Sequence, residues 1–370
     1  MKALVSICRI IVGVVFIFSG FIKANDPLGF SYKLNEYFEV FGTSFLEPFS
    51  LFLAIFMCVL EMILGFALLL GARIKLTLWL LMLLVIFFGF LTFYSAYYDV
   101  VKTCGCFGDA IKLTPWQSFG KDMALMVLIL IIIAGKSQVN PLVGAGFENF
   151  LMILFVGASV AFPVYTYRNL PIIDFRPYKI GTNIYKSMDI HQQTKFYYKL
   201  KDKKSGELKE FDSWPEGWDA KYDYVESRTE VVGGNENMIT GFTIENLNGE
   251  PYADDILLKP GPVFLLVAYN LEKTENEVFG KVNDFATLCA KDNIPFVGLT
   301  SSDTILISQF KEKTKTAFDF YRTPDDVPLK TMIRANPGLV LLMDGTVTNM
   351  WHYNNFPSYN DVRNKYFDKR

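Results

Sequence analysis

Apolar residues in the first 167 positions come in long blocks rather than at amphipathic spacing. A helix needs roughly 20 apolar residues to cross a bilayer, and five blocks approach or exceed that length. They cover residues 3–22 (broken by Arg9), 48–70 (broken by Glu61), 76–98 (uncharged), 119–134 running toward 139 (with Lys121 and Asp122 at its start) and 149–167 (uncharged). The first block has the charge pattern of a signal peptide, Met1-Lys2 ahead of an apolar run. It lacks a small-residue cleavage site, and Lys23 and Asn25-Asp26-Pro27 are expected to end it as a loop. The loops between the first four spans are short enough to make neighbours antiparallel, 71–75 being the tightest. A four-helix membrane bundle is therefore predicted, with a fifth span tethering the C-terminal half.

The orientation signals disagree. A raw count of Lys and Arg favours an outside N-terminus, whereas the two-residue tail and the basic loop with Arg73 and Lys75 favour an inside one. We expect the second, in a bacterial inner membrane. An odd number of spans then puts the C-terminal half, and the loop after the third span, outside the cytoplasm.

After residue 167 the pattern turns polar. Residues 169–181 contain Pro171, Pro177 and Gly181, as suits an extended exit from the membrane, and 195–211 reads as a hairpin turning at Lys204-Ser205-Gly206. Residues 212–238 show no periodic element. From 242 the signals sharpen: strand and turn at 242–250, apolar strand at 262–269, helix at 275–291, strand at 294–299 and helix at 304–315. A hairpin then turns at Asp344-Gly345 into 346–351. That order predicts an α/β layer with a mixed sheet. Four regions result: 1–140 membrane bundle, 141–181 fifth span and linker, 182–238 small β-containing connection, and 239–370 α/β domain.

Composition agrees. Of 370 residues, 51% are hydrophobic and only 20% charged, and of 36 basic and 38 acidic side chains just 10 and 9 lie in residues 1–167. A net charge of −2 gives no basic excess, so nucleic acid is not an expected partner. A charge at the centre of a span costs about 2.5 to 3.5 kcal/mol on insertion scales, which makes Arg9 and Glu61 conspicuous. They are expected to pair, either fastening two helices or handling a substrate. Lys23, Lys121 and Asp122 stand near span ends, where they are expected to be solvated or to snorkel.

Five cysteines occur: Cys8 and Cys58 in apolar spans, Cys289 in the C-terminal half, and Cys104 and Cys106 in the loop after the third span. With only His191 and His352 elsewhere, a four-ligand zinc site is disfavoured and no metal is expected. Cys104-Gly105-Cys106 can close a small strained disulfide ring, and strained disulfides are the exchangeable ones. Lys102 and the N-terminus of the fourth span would favour thiolate. A static disulfide or two idle thiols satisfy the same residues equally well.

The segments Arg9-Ile10-Ile11-Val12-Gly13 through Phe18-Ser19-Gly20-Phe21-Ile22-Lys23, and Glu61-Met62-Ile63-Leu64-Gly65 through Leu70-Gly71, resemble the first two helix signatures of the DoxX family. Cys104-Gly105-Cys106-Phe107-Gly108 resembles its MauE branch, and the whole chain, with Asp174-Phe175-Arg176-Pro177-Tyr178-Lys179-Ile180-Gly181, resembles the large DoxX-like membrane proteins of Bacteroidetes. The resemblance implies a four-helix bundle in the cell envelope tied to thiol and quinone redox chemistry, as in disulfide formation or thiosulfate:quinone reduction. Its functional residues would be Arg9, Lys23, Glu61, Cys104 and Cys106, with a quinone as cofactor and an envelope thiol protein as partner.

The C-terminal domain is similar to the thioredoxin-like fold of the peroxiredoxin and TlpA-like branch, with Pro337 at the place of that fold's cis-proline. Where redox-active members carry cysteine, this chain has Tyr269-Asn270-Leu271-Glu272-Lys273-Thr274-Glu275, and Cys289 falls in a helix as a buried thiol. The domain is expected to lack dithiol chemistry and to serve recognition. Two readings remain open: a membrane thiol–disulfide oxidoreductase, and a non-catalytic membrane scaffold that binds a partner. A transporter ranks below both, since no inverted repeat of broken helices is evident.

Overall fold

The computed structural model describes residues 2–101, 105, 107–188, 193–203, 205, 208–211, 221–232, 239 and 241–368. Six long helices open the chain: α1 (Lys2–Asn25), α2 (Pro27–Val40), α3 (Ser50–Leu70), α4 (Ile74–Tyr98), α5 (Pro115–Ala134) and α6 (Ala145–Arg168). All but α2 are long and apolar enough to cross a membrane. Side chains such as Trp79 and Ile153 point outward with about three-quarters of their surface exposed, as lipid-facing residues do.

The expected loop after Lys23 is instead the start of α2. Asp26 caps that helix, its Oδ1 accepting from the Gly29 amide at 2.9 Å, and Pro27 occupies the first turn, where a missing N–H costs nothing. Glycine at 71, with φ of 77°, closes α3 in the left-handed conformation. Thr114 and Gln117 form a capping box that starts α5.

Helices α1, α3, α4 and α5 form the bundle, around a core that includes Val12, Leu68, Leu81, Ile129 and Ile132. Helix α6 lies outside it, with Phe155 stacked on Phe66 at 4.1 Å and Phe162 on Phe21 at 4.8 Å. The Thr166 hydroxyl donates to the Ala24 carbonyl at 2.7 Å, so α6 ends beside the end of α1.

Past the linker, a short helix α7 (Ile184–Ser187) precedes a three-stranded antiparallel sheet of order β2-β1-β3. Strands β1 (Gln193–Asp202) and β2 (Leu208–Phe211) form the hairpin foreseen from sequence. Strand β3 (Tyr222–Val232) falls where no element was foreseen, because its place is set by pairing along β1 rather than by its own pattern.

The C-terminal domain is a five-stranded mixed sheet of order β6-β5-β4-β7-β8. Its strands are β4 (Pro262–Val267), β5 (Phe296–Thr300), β6 (Phe320–Arg322), β7 (Gly338–Met343) and β8 (Thr346–His352). Strands β4, β5 and β6 are parallel; β7 and β8 run antiparallel beside β4. Side chains of β4 alternate between two cores. Val263, Leu265 and Val267 face Ile184, Leu257 and Met332; Phe264 and Leu266 face Val282, Phe285 and Phe310. The covering helices are α8 (Ala253–Leu257), α9 (Phe279–Lys291), α10 (Thr304–Thr314), α11 (Asp326–Met332) and α12 (Tyr359–Tyr366). The strand expected at 242–250 is absent as such. Asn246 folds the chain back at once, its amide donating to the Glu250 carbonyl, and leaves only single bridges from Glu245 to Pro251 and Arg322. The Asn336–Pro337 peptide is cis.

Candidate functional site

Small residues let α1 and α3 approach closely. A Cβ on Gly20 would stand 2.7 Å from the Cys58 carbonyl oxygen, and one on Gly13 would stand 3.1 Å from that of Gly65. This contact fixes the level of every charge on the two helices. The Cβ of Glu61 lies beside Gly20, while Arg9 is eleven residues away, about 16 Å along the axis. The expected Arg9–Glu61 pair is therefore not formed. Arg9 instead binds the end of α3: its Nε donates to the Leu68 carbonyl at 2.9 Å and its Nη2 to that of Leu69. Its Nη1 adds a 3.4 Å bond to the Asn140 carbonyl. Carbonyls in the last turn of a helix carry partial negative charge, which makes them a natural seat for a guanidinium.

Glu61 takes Lys23 as its partner, Nζ to Oε1 at 2.6 Å, with both side chains almost wholly buried. The ammonium also sits over the rings of Phe88 (4.5 Å) and Phe30 (5.1 Å). Nor is Asp122 a solvated flank. It is 2% exposed and accepts from Lys121 at 2.7 Å and from the Thr92 hydroxyl at 3.1 Å. Four charges thus meet inside the bundle, two of each sign. The expectation of solvated or snorkelling side chains fails for Lys23 and Asp122, which are buried, whereas Lys121 keeps about a fifth of its side chain exposed.

Above this cluster opens a cleft of about 500 Å³, bounded by α2, the loop after α4, the linker and helix α11. Arg334, which stands just before the cis Asn336–Pro337 peptide, reaches into it from the C-terminal domain. Its Nε lies 2.9 Å from both Asp26 oxygens, and its Nη2 lies 3.8 Å from Asp109. Burial alone would push the Arg334 guanidinium down, but Asp26, Tyr32 and Asp109 together hold it above its ordinary value. The hydroxyls of Tyr32 and Tyr269 meet at 3.2 Å, and burial raises the Tyr32 phenol well above its usual range. Asn25 ties the linker down, accepting from the amides of Ile172 and Ile173 and donating to the Ile173 carbonyl. The C-terminal domain is thus docked on the mouth of the bundle, at the same end as the cysteine loop.

Cys104, Cys106 and Lys102 lie outside the described residues. Gly105, between the two cysteines, is described. It lines the cleft with φ of 70°, and a Cβ there would stand 3.3 Å from Lys33 Cγ. Phe107 packs on Phe18 of α1 at 5.6 Å, and the Lys121 ammonium lies 5.3 Å from its ring centre. The inner charge cluster therefore sits directly beneath the loop. Cys8, Cys58 and Cys289 are free and buried, and burial pushes the Cys289 thiol up to about 12. Among the described residues no group of three or more His, Cys, Asp or Glu could hold a metal.

Asp26, Arg334, Asp109 and Tyr32 escaped the sequence reading. Asp26-Pro27 had a signal, since a capping residue before proline marks a helix start. Arg334 had none, because its partner is 308 positions away.

The family model described as methylamine utilisation protein MauE matches residues 1–135, which hold α1 to α5. No curated protein matches the chain. In its first 135 residues this multi-pass membrane protein is thus similar to MauE proteins.

Proposed function

We propose that the chain is a membrane thiol–disulfide oxidoreductase of the bacterial cell envelope. In this reading a client dithiol reduces the Cys104–Cys106 disulfide and leaves as the client disulfide. The Cys104–Cys106 dithiol then gives two electrons and two protons to a quinone held in the bundle, restoring the disulfide and releasing quinol. The observation that carries it is the position of Gly105. The residue between the cysteines lines a cleft of about 500 Å³ that carries both basic side chains, among them Lys33, Lys112 and Lys330, and acidic ones, among them Glu36, Glu39 and Glu47. The similarity of residues 1–135 to MauE supports the same reading.

The C-terminal domain is read as thioredoxin-like on its strand order and the cis peptide before β7. Its turn at 269–275 has no cysteine and packs against α2 through Tyr269 and Tyr32. That contact favours a docking role and is what the alternative reading, a non-catalytic scaffold, would use. The deciding experiment traps Cys104 and Cys106 in intact cells with a membrane-impermeant alkylator, before and after reductant, with Cys104→Ser and Cys106→Ser controls. A reversible disulfide that accumulates as dithiol when quinones are depleted supports the enzyme and places the cleft and the C-terminal domain in the periplasm. Thiols that stay reduced and react only after lysis overturn it in favour of the scaffold.

A further inference from the structure

Beneath the cleft lies a second, much smaller cavity of about 20 Å³ in the middle of the bundle. One wall carries Lys23 and Glu61, the other Lys121 and Asp122, and Ser19 and Phe88 complete the polar and aromatic lining. Lys23 lines both this cavity and the outer cleft, and so joins them. Glu61 is 1% exposed and uses only Oε1 for Lys23; its Oε2 has no hydrogen-bond partner. A buried carboxylate oxygen without a partner is costly, and native proteins rarely leave one so. A cavity above roughly 10 to 15 Å³ with two to four polar groups on its walls is the kind that holds a water. Among the described residues, two ammonium groups stand beside the two carboxylates, so these four charges cancel.

We propose that this cavity binds one water between Glu61 Oε2 and Asp122, and that the water and the Lys23–Glu61 pair form a proton relay beneath the cysteine loop. The Lys23 ammonium passes a proton to Glu61, giving a neutral amine and a neutral acid. The amine takes up a proton from the outer cleft. Glu61 returns to carboxylate by releasing its proton through the water to Asp122. No electron moves in these steps; their net result is one proton taken from the outer cleft and held on Asp122, and the same steps in reverse return it. Among the described residues, the other charged or titratable groups near Glu61 include Cys58, one turn away on α3, and Asp26 beyond Lys23. Helix α4 lines the cavity with Val85 and Phe88.

The purpose of the relay rests on the thiol–disulfide reading, in which the two protons of each dithiol have to travel from the loop into the bundle where the quinone is reduced. Its chemistry does not. The test is infrared spectroscopy of the full chain in lipid bilayers during pH titration, in light and heavy water, following the carbonyl stretch of protonated carboxyl groups. The wild type should show a band that appears on acidification, is lost in Glu61→Gln, and shifts its midpoint in Asp122→Asn. Val85→Ile, which adds a methylene to the cavity wall without touching a charge, should uncouple the two carboxyls and slow exchange with heavy water. A Glu61 band indifferent to both Asp122→Asn and Val85→Ile overturns the relay, whatever the cysteines do. Coupling that persists in the Cys104→Ser/Cys106→Ser double variant, with no response of the wild-type band to reductant, supports the relay and overturns the thiol reading instead.

Discussion

Arg334 and Asp26 are 308 residues apart in sequence, yet the guanidinium Nε of one lies 2.9 Å from both carboxylate oxygens of the other. The same Asp26 oxygen that faces Arg334 caps α2. One carboxylate therefore both starts the helix that covers the bundle and anchors the C-terminal domain. Gly29 makes the approach possible: a Cβ there would stand 2.8 Å from Arg334 Nη2 and would collide with Asp26 Oδ2.

Removing the guanidinium should undock the domain while leaving it folded. We expect Arg334→Ala to weaken docking by roughly 3 kcal/mol, the scale for breaking one side of a buried pair. Arg334→Lys should recover only part, since an ammonium lacks the planar fork. Gly29→Ala should act in the same direction with every charge retained. Limited proteolysis of the linker at 169–181 in lipid bilayers measures this, and cleavage unchanged in all three variants would show that the contact does not hold the domain.

Inside the bundle, Lys23→Met should be worse than losing both partners. The single change strands the Glu61 carboxylate in a buried site, with an expected loss of about 3 to 5 kcal/mol. Lys23→Met/Glu61→Gln should restore most of that loss. Thermal unfolding in detergent is the readout, and a double variant as unstable as the single would mean that shape rather than charge governs the position.

The α1–α3 crossing should tolerate no side chain at Gly20, where a Cβ would meet the Cys58 carbonyl at 2.7 Å. That atom is backbone and cannot swing aside. Gly20→Leu is expected to destabilise the bundle by at least about 1 to 3 kcal/mol, the usual cost of overpacking. Gly144→Leu, at a position open to its surroundings, is the control. Equal melting temperatures for the two variants would refute the tight crossing.

His352 supplies a pH signature for the C-terminal domain. It is 3% exposed, its Nδ1 accepts from the Asn354 amide at 3.1 Å, and burial lowers its pKa from 6.5 to about 4. The unfolded chain thus binds a proton near pH 6.5 that the folded chain refuses until about pH 4. Stability from this residue is full above about pH 6.5, falls as pH drops toward about 4, and is flat below, a total of about 3 kcal/mol. Urea unfolding followed by tryptophan fluorescence at several pH values should show this fall in the wild type but not in His352→Gln. Parallel pH profiles for the two would exclude His352 as the source.

Much of the architecture was legible in the sequence. The five spans, the hairpin at 195–211, the apolar strand β4 and the turn into β8 follow from local rules: apolar length for a bilayer, alternation for the hairpin, a short apolar run for a buried strand, Asp-Gly for a tight turn. So was the conspicuousness of Arg9 and Glu61, because charge in an apolar run is costly wherever it ends up; Lys23 and Asp122, near span ends, were expected to be solvated. Which charge meets which was not legible. The Arg9–Glu61 expectation counted spans, whereas the partner of Glu61 is set by the level at which Gly20 lets α1 cross α3, and that level puts Lys23 within reach and Arg9 at the far end of α3. Strand β3 and the docking of Arg334 on Asp26 likewise depend on surfaces brought together from distant parts of the chain. Local sequence determined the solvent of each segment through transfer free energies that add residue by residue. Only the tertiary structure decided the pairings, because the energy of a buried charge depends on a few ångströms that no single segment sets alone.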